Sequence, residues 1–300
     1  MPKYAFVTVD VFTDRRFGGN PLAVFPDGRG LSDADMQALA AEFNLSETTF
    51  VLPPEDPANT ARVRIFTPKS ELPFAGHPNV GTGWVLAQEG RDRDGVLRFE
   101  EIAGLVAVRL VRNGTAVVGG RIRAPRELEI GRRIDRDTAA ACASLPAAEV
   151  ATGAHEPVMV SVGLPFALVE LASLEALGRA RPNVAAFAAA DDRYRHPDDR
   201  FSLFLYHRAA GGLRIRARMF APLSNTFEDP ATGSASAALG AYLVSLDTRP
   251  NVSAAFTVEQ GVEMGRRGLI EVEASKADGV VSDVWIQGRC VPAMRGVLEL

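Results

Sequence analysis

Apolar and polar residues alternate from Tyr4 to Phe12, which predicts a strand, followed by a polar turn and a second apolar segment, Pro21 to Phe25. The period then changes. Ser32 can cap a helix with Asp33 and Asp35 in its first turn, and Met36, Leu39, Ala40 and Phe43 recur at helical spacing, so residues 33–43 read as a helix. ETTFVL, Glu47 to Leu52, has strand composition and ends at Pro53-Pro54. Arg62 to Thr67 alternates as a strand, and a loop bearing Pro and Gly leads to a helix over 78–89. Residues 97–124 read as a meander of short strands with a turn at Asn113-Gly114.

Thr138 to Ser144 reads as a short helix before Pro146, and VMVSVGLPFALVEL, Val158 to Leu171, is rich in β-formers. Ala185 to Ala190 is helical in character, whereas Asp191 to Arg200 reads as a charged, solvated loop. Phe201 to Tyr206 and Leu213 to Phe220 are strands, and Ala231 to Ser245 is an Ala-rich helix of low bulk. A small-residue helix flanked by strands implies close backbone approach, as for a helix enclosed by a curved sheet. Gly279 to Leu300 adds strand material around Gly288 and Gly296.

One pattern occurs twice. RIFTPKSELPFAGHPNVGTG at 64–83 aligns with RMFAPLSNTFEDPATGSA at 218–235, pairing Arg64, Phe66 and Pro68 with Arg218, Phe220 and Pro222. After a two-residue deletion, His77 pairs with Asp229, Pro78 with Pro230, Gly81 with Gly233 and Thr82 with Ser234. GLPFALV at 163–169 also lies over GNPLAVF at 19–25. The expectation is an α/β chain of two pseudo-symmetric halves, each a barrel-like sheet around a central helix. The first covers 1–117 and is joined by the C-terminal segment 286–300; the second covers 118–285. A duplicated half with His in one copy and Asp in the other suggests a cleft with an acid/base group on each wall, suited to moving a proton.

Asp229 before Pro230 is what helix capping alone would select, with Asp at the N-cap and Pro at the first helical position. Capping does not explain His77 in the matching place, which shifts both toward function. A histidine at a helix start has its basicity lowered by the helix dipole, favouring a neutral ring that can donate or accept a proton. The stretches Asn79-Val80-Gly81-Thr82 and Ala231-Thr232-Gly233-Ser234 leave backbone N–H groups for an anion, or merely let helix pack closely on strand. Glu47, Glu71 and Glu228 are comparable carboxylates on sequence grounds.

Composition narrows the classes. Three hundred residues, 47% hydrophobic and 23% charged with net charge -4, fit a globular chain of two domains and argue against nucleic acid. The only lysines are Lys3, Lys69 and Lys276, which leaves few Schiff-base candidates. Cys142 and Cys290 form no CxxC, and His77, His155, His196 and His207 show no HxxxH or HExxH spacing. No phosphate-loop or dinucleotide fingerprint occurs, so no cofactor is indicated. The strand-like N-terminus lacks signal-peptide features, and no apolar run approaches the ~20 residues of a membrane span, which points to the cytoplasm.

VDVFTDRRFGGNPLAVF (9–25), NLSETTFVLPP (44–54), FTPKSELPFAGHPNVGTGWVL (66–86), GLPFALVEL (163–171) and FAPLSNTFEDPATGSASAALGAYL (220–243) together resemble the phenazine-biosynthesis PhzF-like family. The resemblance implies the diaminopimelate-epimerase-like fold, an active site between the halves, no metal or organic cofactor, and a homodimer. It makes Glu47 of the NLSET motif the general acid/base, with His77 and Asp229 assisting and Gly76, Gly233 and Ser234 binding substrate. The expected activity is isomerisation of a small carboxylate-bearing substrate, similar to trans-2,3-dihydro-3-hydroxyanthranilate isomerase. Asn79, where the family often has Ala or Thr, and Ser224 to Phe227, replacing a Gly-bearing loop, point to a different pocket shape. Neither cysteine matches the thiols of related epimerases. An amino-acid epimerase or racemase using His77 and Asp229, and a non-catalytic small-carboxylate-binding protein, are the alternatives.

Overall fold

A computed structural model describes residues 1–196, 199–209, 211–224 and 226–300 and divides them into two compact units. The first contains Met1–Arg123 and Gln287–Leu300, the second Ala124–Ile286.

In the first unit the chain forms β1 (Lys3–Val11), β2 (Asn20–Phe25), α1 (Asp33–Phe43), β3 (Glu47–Leu52), β4 (Ala61–Phe66) and the two-residue β5 (Glu71–Leu72). The helix α2 (Gly76–Gln88) follows, then β6 (Val96–Glu101), β7 (Gly104–Asn113) and β8 (Ala116–Arg123). β1 pairs antiparallel with β2, which runs parallel to β3 with Leu22 beside Glu47. β3 and β4 are antiparallel, β4 runs parallel to β6, and β6, β7 and β8 form a meander. The chain's last strand pairs with both β8 and β1, so eight strands close into a ring.

Inside the ring runs α2, buried at every residue from Gly76 to Ala87. Its small residues are what admit it. A Cβ on Gly81 would meet Leu22 Cδ2 at 2.6 Å and Val11 Cγ2 at 2.8 Å, and one on Gly83 would meet Val108 Cγ1 at 2.7 Å. For Gly81, close packing of helix on strand is therefore the reason for the glycine. α1 lies on another layer, where Met36, Leu39 and Ala40 pack with Phe25, Phe50 and Phe66. It spans the predicted residues, and Ser32 and Asp35 form a reciprocal capping box.

The second unit repeats this order. It contains β9 (Glu129–Arg133), α3 (Arg136–Cys142), β10 (Val158–Ser161), β11 (Pro165–Glu170), α4 (Leu174–Arg179), α5 (Val184–Tyr194) and β12 (Leu203–Arg208). Then come β13 (Arg214–Ala221), β14 (Thr226–Asp229), α6 (Gly233–Ser245), β15 (Val252–Gln260), β16 (Gly268–Ala277) and β17 (Val280–Glu299), whose later part is the closing strand of the first unit. β11 and β12 are parallel, as β2 and β3 are, and β13 and β15 are parallel, as β4 and β6 are. α6 is the counterpart of α2: a Cβ on Gly240 would meet Val272 Cγ1 at 2.6 Å. α3, α4 and α5 build a separate core around Phe187, Phe201 and Leu203.

Several expectations need correction. α5 continues to Tyr194, so the expected charged loop begins only there; its Pro197 and Asp198 lie outside the described residues. Asp191 is not solvated but buried, accepting the Phe201 N–H at 2.8 Å and pairing with Arg200 at 2.7 Å. The short helix α4, capped by Ser173, is not anticipated by the apolar pattern. α2 starts two residues earlier than expected and α6 two residues later, with consequences for the site. In the replaced loop Ser224 to Phe227, Asn225 lies outside the described residues.

Candidate active site

In the first unit β3 and α2 run side by side, and their spacings match. Glu47 and Thr49 share one face of β3, since alternate strand residues point the same way. Thr49 Oγ1 meets Thr82 Oγ1 at 2.8 Å, a buried hydroxyl pair that fixes helix against strand. Two strand residues advance about 6.6 Å and five helical residues about 7.5 Å, so the same alignment brings Glu47 level with His77. Glu47 Oε2 lies 3.3 Å from His77 Nε2.

His77 is the second residue of α2, following Gly76 and the N-cap Ala75, which makes no side-chain capping bond. The ring is 6% exposed. Burial drives its pKa down to about 3, opposed by a hydrogen bond to the backbone of Pro21. A prolyl residue offers only a carbonyl, so the imidazole donates to it. The ring is thus neutral, as expected for a histidine at this helix start, but desolvation is the dominant cause. Asn79, fully buried two residues on, donates from Nδ2 to the Ala75 carbonyl at 3.0 Å.

The second unit treats its matching residue differently. Asp229 ends β14 and lies outside α6, whose N-cap is Thr232. Capping therefore does not account for Asp229. Its Oδ2 accepts the Thr232 hydroxyl at 2.6 Å. The buried side chain of Gln260 locks the turn, donating to the Asp229 carbonyl at 2.7 Å and to Thr232 Oγ1 at 2.9 Å while accepting the Thr232 N–H at 3.0 Å. Gly233 is buried and Ser234 partly exposed at the first two positions of α6.

Two other carboxylates are explained by the duplicated arginines. Arg64 grips Glu71 through two hydrogen bonds of 2.7 Å, and Arg218 grips Glu228 through two of 2.8 Å. Glu71 and Glu228 are thereby structural, which leaves Glu47 as the carboxylate beside an imidazole. Cys142 and Cys290 are both buried, and burial raises both thiol pKa values, that of Cys142 to about 12. Among the described residues no group of three or more His, Cys, Asp or Glu side chains could hold a metal ion, and no helix is long and apolar enough to cross a membrane. Gln260 carried no sequence signal, because an isolated Gln at a strand end has no spacing that marks it.

Two units that each roll a sheet around a small-residue helix, repeated along one chain, define a diaminopimelate-epimerase-like fold. The pattern of the phenazine biosynthesis-like protein family (PhzC-PhzF) matches residues 9–296. The chain belongs to that family and is a PhzF-like isomerase. It is 36% identical to an uncharacterized isomerase of Mesorhizobium japonicum, over 98% of each chain. It is likewise 36% identical to trans-2,3-dihydro-3-hydroxyanthranilate isomerase of Pseudomonas aeruginosa, over 95% of each chain. The fold matches that of a Bacillus anthracis phenazine biosynthesis protein of the PhzF family with a TM-score of 0.86, at 24% identity over 100% of both chains.

Proposed function

We propose that this isomerase moves a proton between carbons of a small carboxylate-bearing substrate without a cofactor, with Glu47 as general acid/base. The observation that carries the reading is the approach of Glu47 Oε2 to His77 Nε2 at 3.3 Å in a buried setting. With Nε2 turned to Glu47, Nδ1 is the nitrogen that holds the proton shared with the Pro21 carbonyl. Nε2 then presents a lone pair. The ionised Glu47 takes a proton from a substrate carbon, leaving the electron pair delocalised into an adjoining double bond. The resulting carboxylic acid can be steadied by donation to His77 Nε2, and then returns the proton to a different carbon as the double bond shifts. Nothing is oxidised or reduced.

Asp229 is proposed as a further acid/base group, and Gly76, Gly233 and Ser234 as substrate-binding positions. The substrate class follows the relative that acts on trans-2,3-dihydro-3-hydroxyanthranilate. A two-thiol racemase reading is disfavoured, since burial holds both cysteines as thiols.

The test is NMR-detected deuterium incorporation from heavy water into trans-2,3-dihydro-3-hydroxyanthranilate, with wild type and Glu47→Gln in parallel. Incorporation at a ring carbon by wild type, lost in the variant, is the expected result. Near wild-type turnover by Glu47→Gln overturns the acid/base assignment. Folded wild type that leaves this compound unchanged overturns the substrate, while label entering the α-position of free amino acids instead identifies an epimerase.

A further inference from the structure

One buried carboxyl of the first unit takes no part in this scheme. Glu101 ends β6, and the turn after it is tied to the segment before α2 by the Ala103 N–H, which donates to the Pro73 carbonyl at 3.0 Å. Both Glu101 carboxyl oxygens are buried and receive no hydrogen bond. The side chain lies against Asn79. The Asn79 amide nitrogen is engaged with the Ala75 carbonyl, and its Oδ1 is also buried without a donor. The Asn79 contact favours the charged carboxyl and so comes from the amide N–H side; an ionised Glu101 still leaves Oδ1 without a donor, in a place where an unsatisfied polar group costs about 1–3 kcal/mol. Exchanging the Asn79 oxygen and nitrogen does not help, because Oδ1 would then face the Ala75 carbonyl. A proton on Glu101 resolves the conflict.

The charged neighbours do not supply a counter-ion. On β4, Arg64 is held by Glu71 of β5 and by Asp33 of α1, and Arg62 bonds Glu55. Glu100, next in β6, is occupied by Asn59 and by the N–H groups of Glu55 and Asp56. Burial raises the Glu101 pKa to about 8, with the Asn79 contact a smaller opposing influence. No arginine is among the causes of that shift.

We propose that Glu101 is a positioning residue that works as a neutral carboxylic acid, donating its proton to Asn79 Oδ1 and so holding the first turn of α2, and His77 with it. The inference rests on the reading of Glu47 and His77 as the reacting pair for its effect on turnover, but not for the protonation itself. Because the folded pKa lies above the ordinary glutamate value of 4.5, the stabilisation is complete below that pH and is lost as pH rises through about 8. The amide of Glu101→Gln donates at every pH and removes the dependence.

The protonation is tested by following the side-chain carboxyl signals of 13C-glutamate-labelled protein from pH 4 to 10. One signal titrating near pH 8, absent from Glu101→Gln, is the expected result, and wild type alone decides the point if the variant does not fold. A set of signals that all titrate below pH 6 overturns the proposal. Its positioning effect is read from kcat in the deuterium assay, which should fall about tenfold per pH unit above pH 8 in wild type and stay level in Glu101→Gln. A titration near pH 8 with parallel kcat profiles would overturn the positioning role, whereas failure of Glu47→Gln to impair turnover would leave the titration standing and sink the acid/base reading instead.

Discussion

The first turns of α2 and α6 occupy the same place in the repeat and are built in opposite ways. α2 begins before its motif residue, so His77 is drawn into the helix and buried against Glu47 of β3. α6 begins after its motif residue, so Asp229 stays on the preceding strand, fixed by Thr232 and Gln260. Alignment equates the two residues, but their environments do not. One unit removes water from an imidazole until it is neutral; the other holds a carboxyl group with a hydroxyl donor. The duplicated scaffold thus presents a buried, neutral imidazole in one copy and a carboxyl group anchored on a strand end in the other.

The sharpest way to break this contrast is to compare Glu47→Gln with Asp229→Asn in the deuterium assay. Glu47→Gln keeps the shape beside His77 but cannot accept a proton, and turnover should fall roughly 10³-fold or more, within the range for losing a general acid/base. Asp229→Asn can still accept from Thr232 and should lose roughly 10²-fold. Equal losses would mean that the two positions do equivalent work, and the asymmetry would be without functional weight.

The duplicated arginines sharpen the comparison next. Arg218 is 3% exposed and, besides Glu228, donates to the carbonyls of Leu177 and Ala180. Arg64 is 17% exposed and its second partner, Asp33, lies at the surface. Arg218→Ala removes a buried guanidinium and strands a partly buried carboxylate and two buried carbonyls, and should cost about 3 kcal/mol. Arg64→Ala should cost nearer 1 kcal/mol, since its pair with Glu71 is partly solvated and its contact with the exposed Asp33 contributes little. Urea unfolding of both variants measures the difference, and similar midpoints would show that the two clamps bear equal strain.

Acid stability separates the units more finely. His77 has its pKa lowered from 6.5 to about 3, so it contributes stability above pH 6.5 that is lost as pH falls toward 3. His155 of the second unit, buried against Tyr206 at 2.5 Å, is shifted down for the same first cause, desolvation. Each should add a positive slope of stability against pH, at most about 1.4 kcal/mol per pH unit for one proton. His77→Asn should flatten the slope between pH 6.5 and 5 by more than His155→Asn does. An unchanged slope in His77→Asn would mean that the ring is charged in the folded state.

Most of the fold was legible because it is written in local patterns. The capping box at Ser32 and the apolar spacing of α1 gave that helix its limits, and the low bulk of α6 marked it as enclosed, which the repeat extended to α2. The repeat pointed to His77 and Asp229, and the Glu47 assignment came through the NLSET motif, since nothing in its immediate spacing sets it apart from Glu71 or Glu228. What sequence could not convey was which carboxylate an arginine would take, because that depends on strands pairing across long separations. The same holds for the helix starts. Asp229 before Pro230 has every local feature of a cap, but Gln260, brought in by β15, satisfies the turn and moves the N-cap to Thr232. Asp191 was misread for a related reason: charge composition suggested solvent, whereas its partners Arg200 and Phe201 lie beyond a turn and bury it.

The smallest effect concerns the glycines that admit the central helices. At Gly81 an added methyl group would press on side chains of two strands, Leu22 and Val11, and at Gly240 chiefly on Val272. Overpacking of this kind costs about 1–3 kcal/mol, set by how far the neighbours can give way. Around Gly81 the sheet closes on itself, so displacing β2 displaces the strands paired with it. Gly240→Ala presses chiefly on one side chain, Val272 of β16. Gly81→Ala should therefore lower the thermal midpoint more than Gly240→Ala, by a margin worth on the order of 1 kcal/mol. It should also lower turnover, because Leu22 lies beside Glu47 in the strand register and moves with it. Equal midpoints with unchanged turnover in Gly81→Ala would show that two strands yield as readily as one valine, and that the position of Glu47 does not depend on how tightly β2 packs against α2.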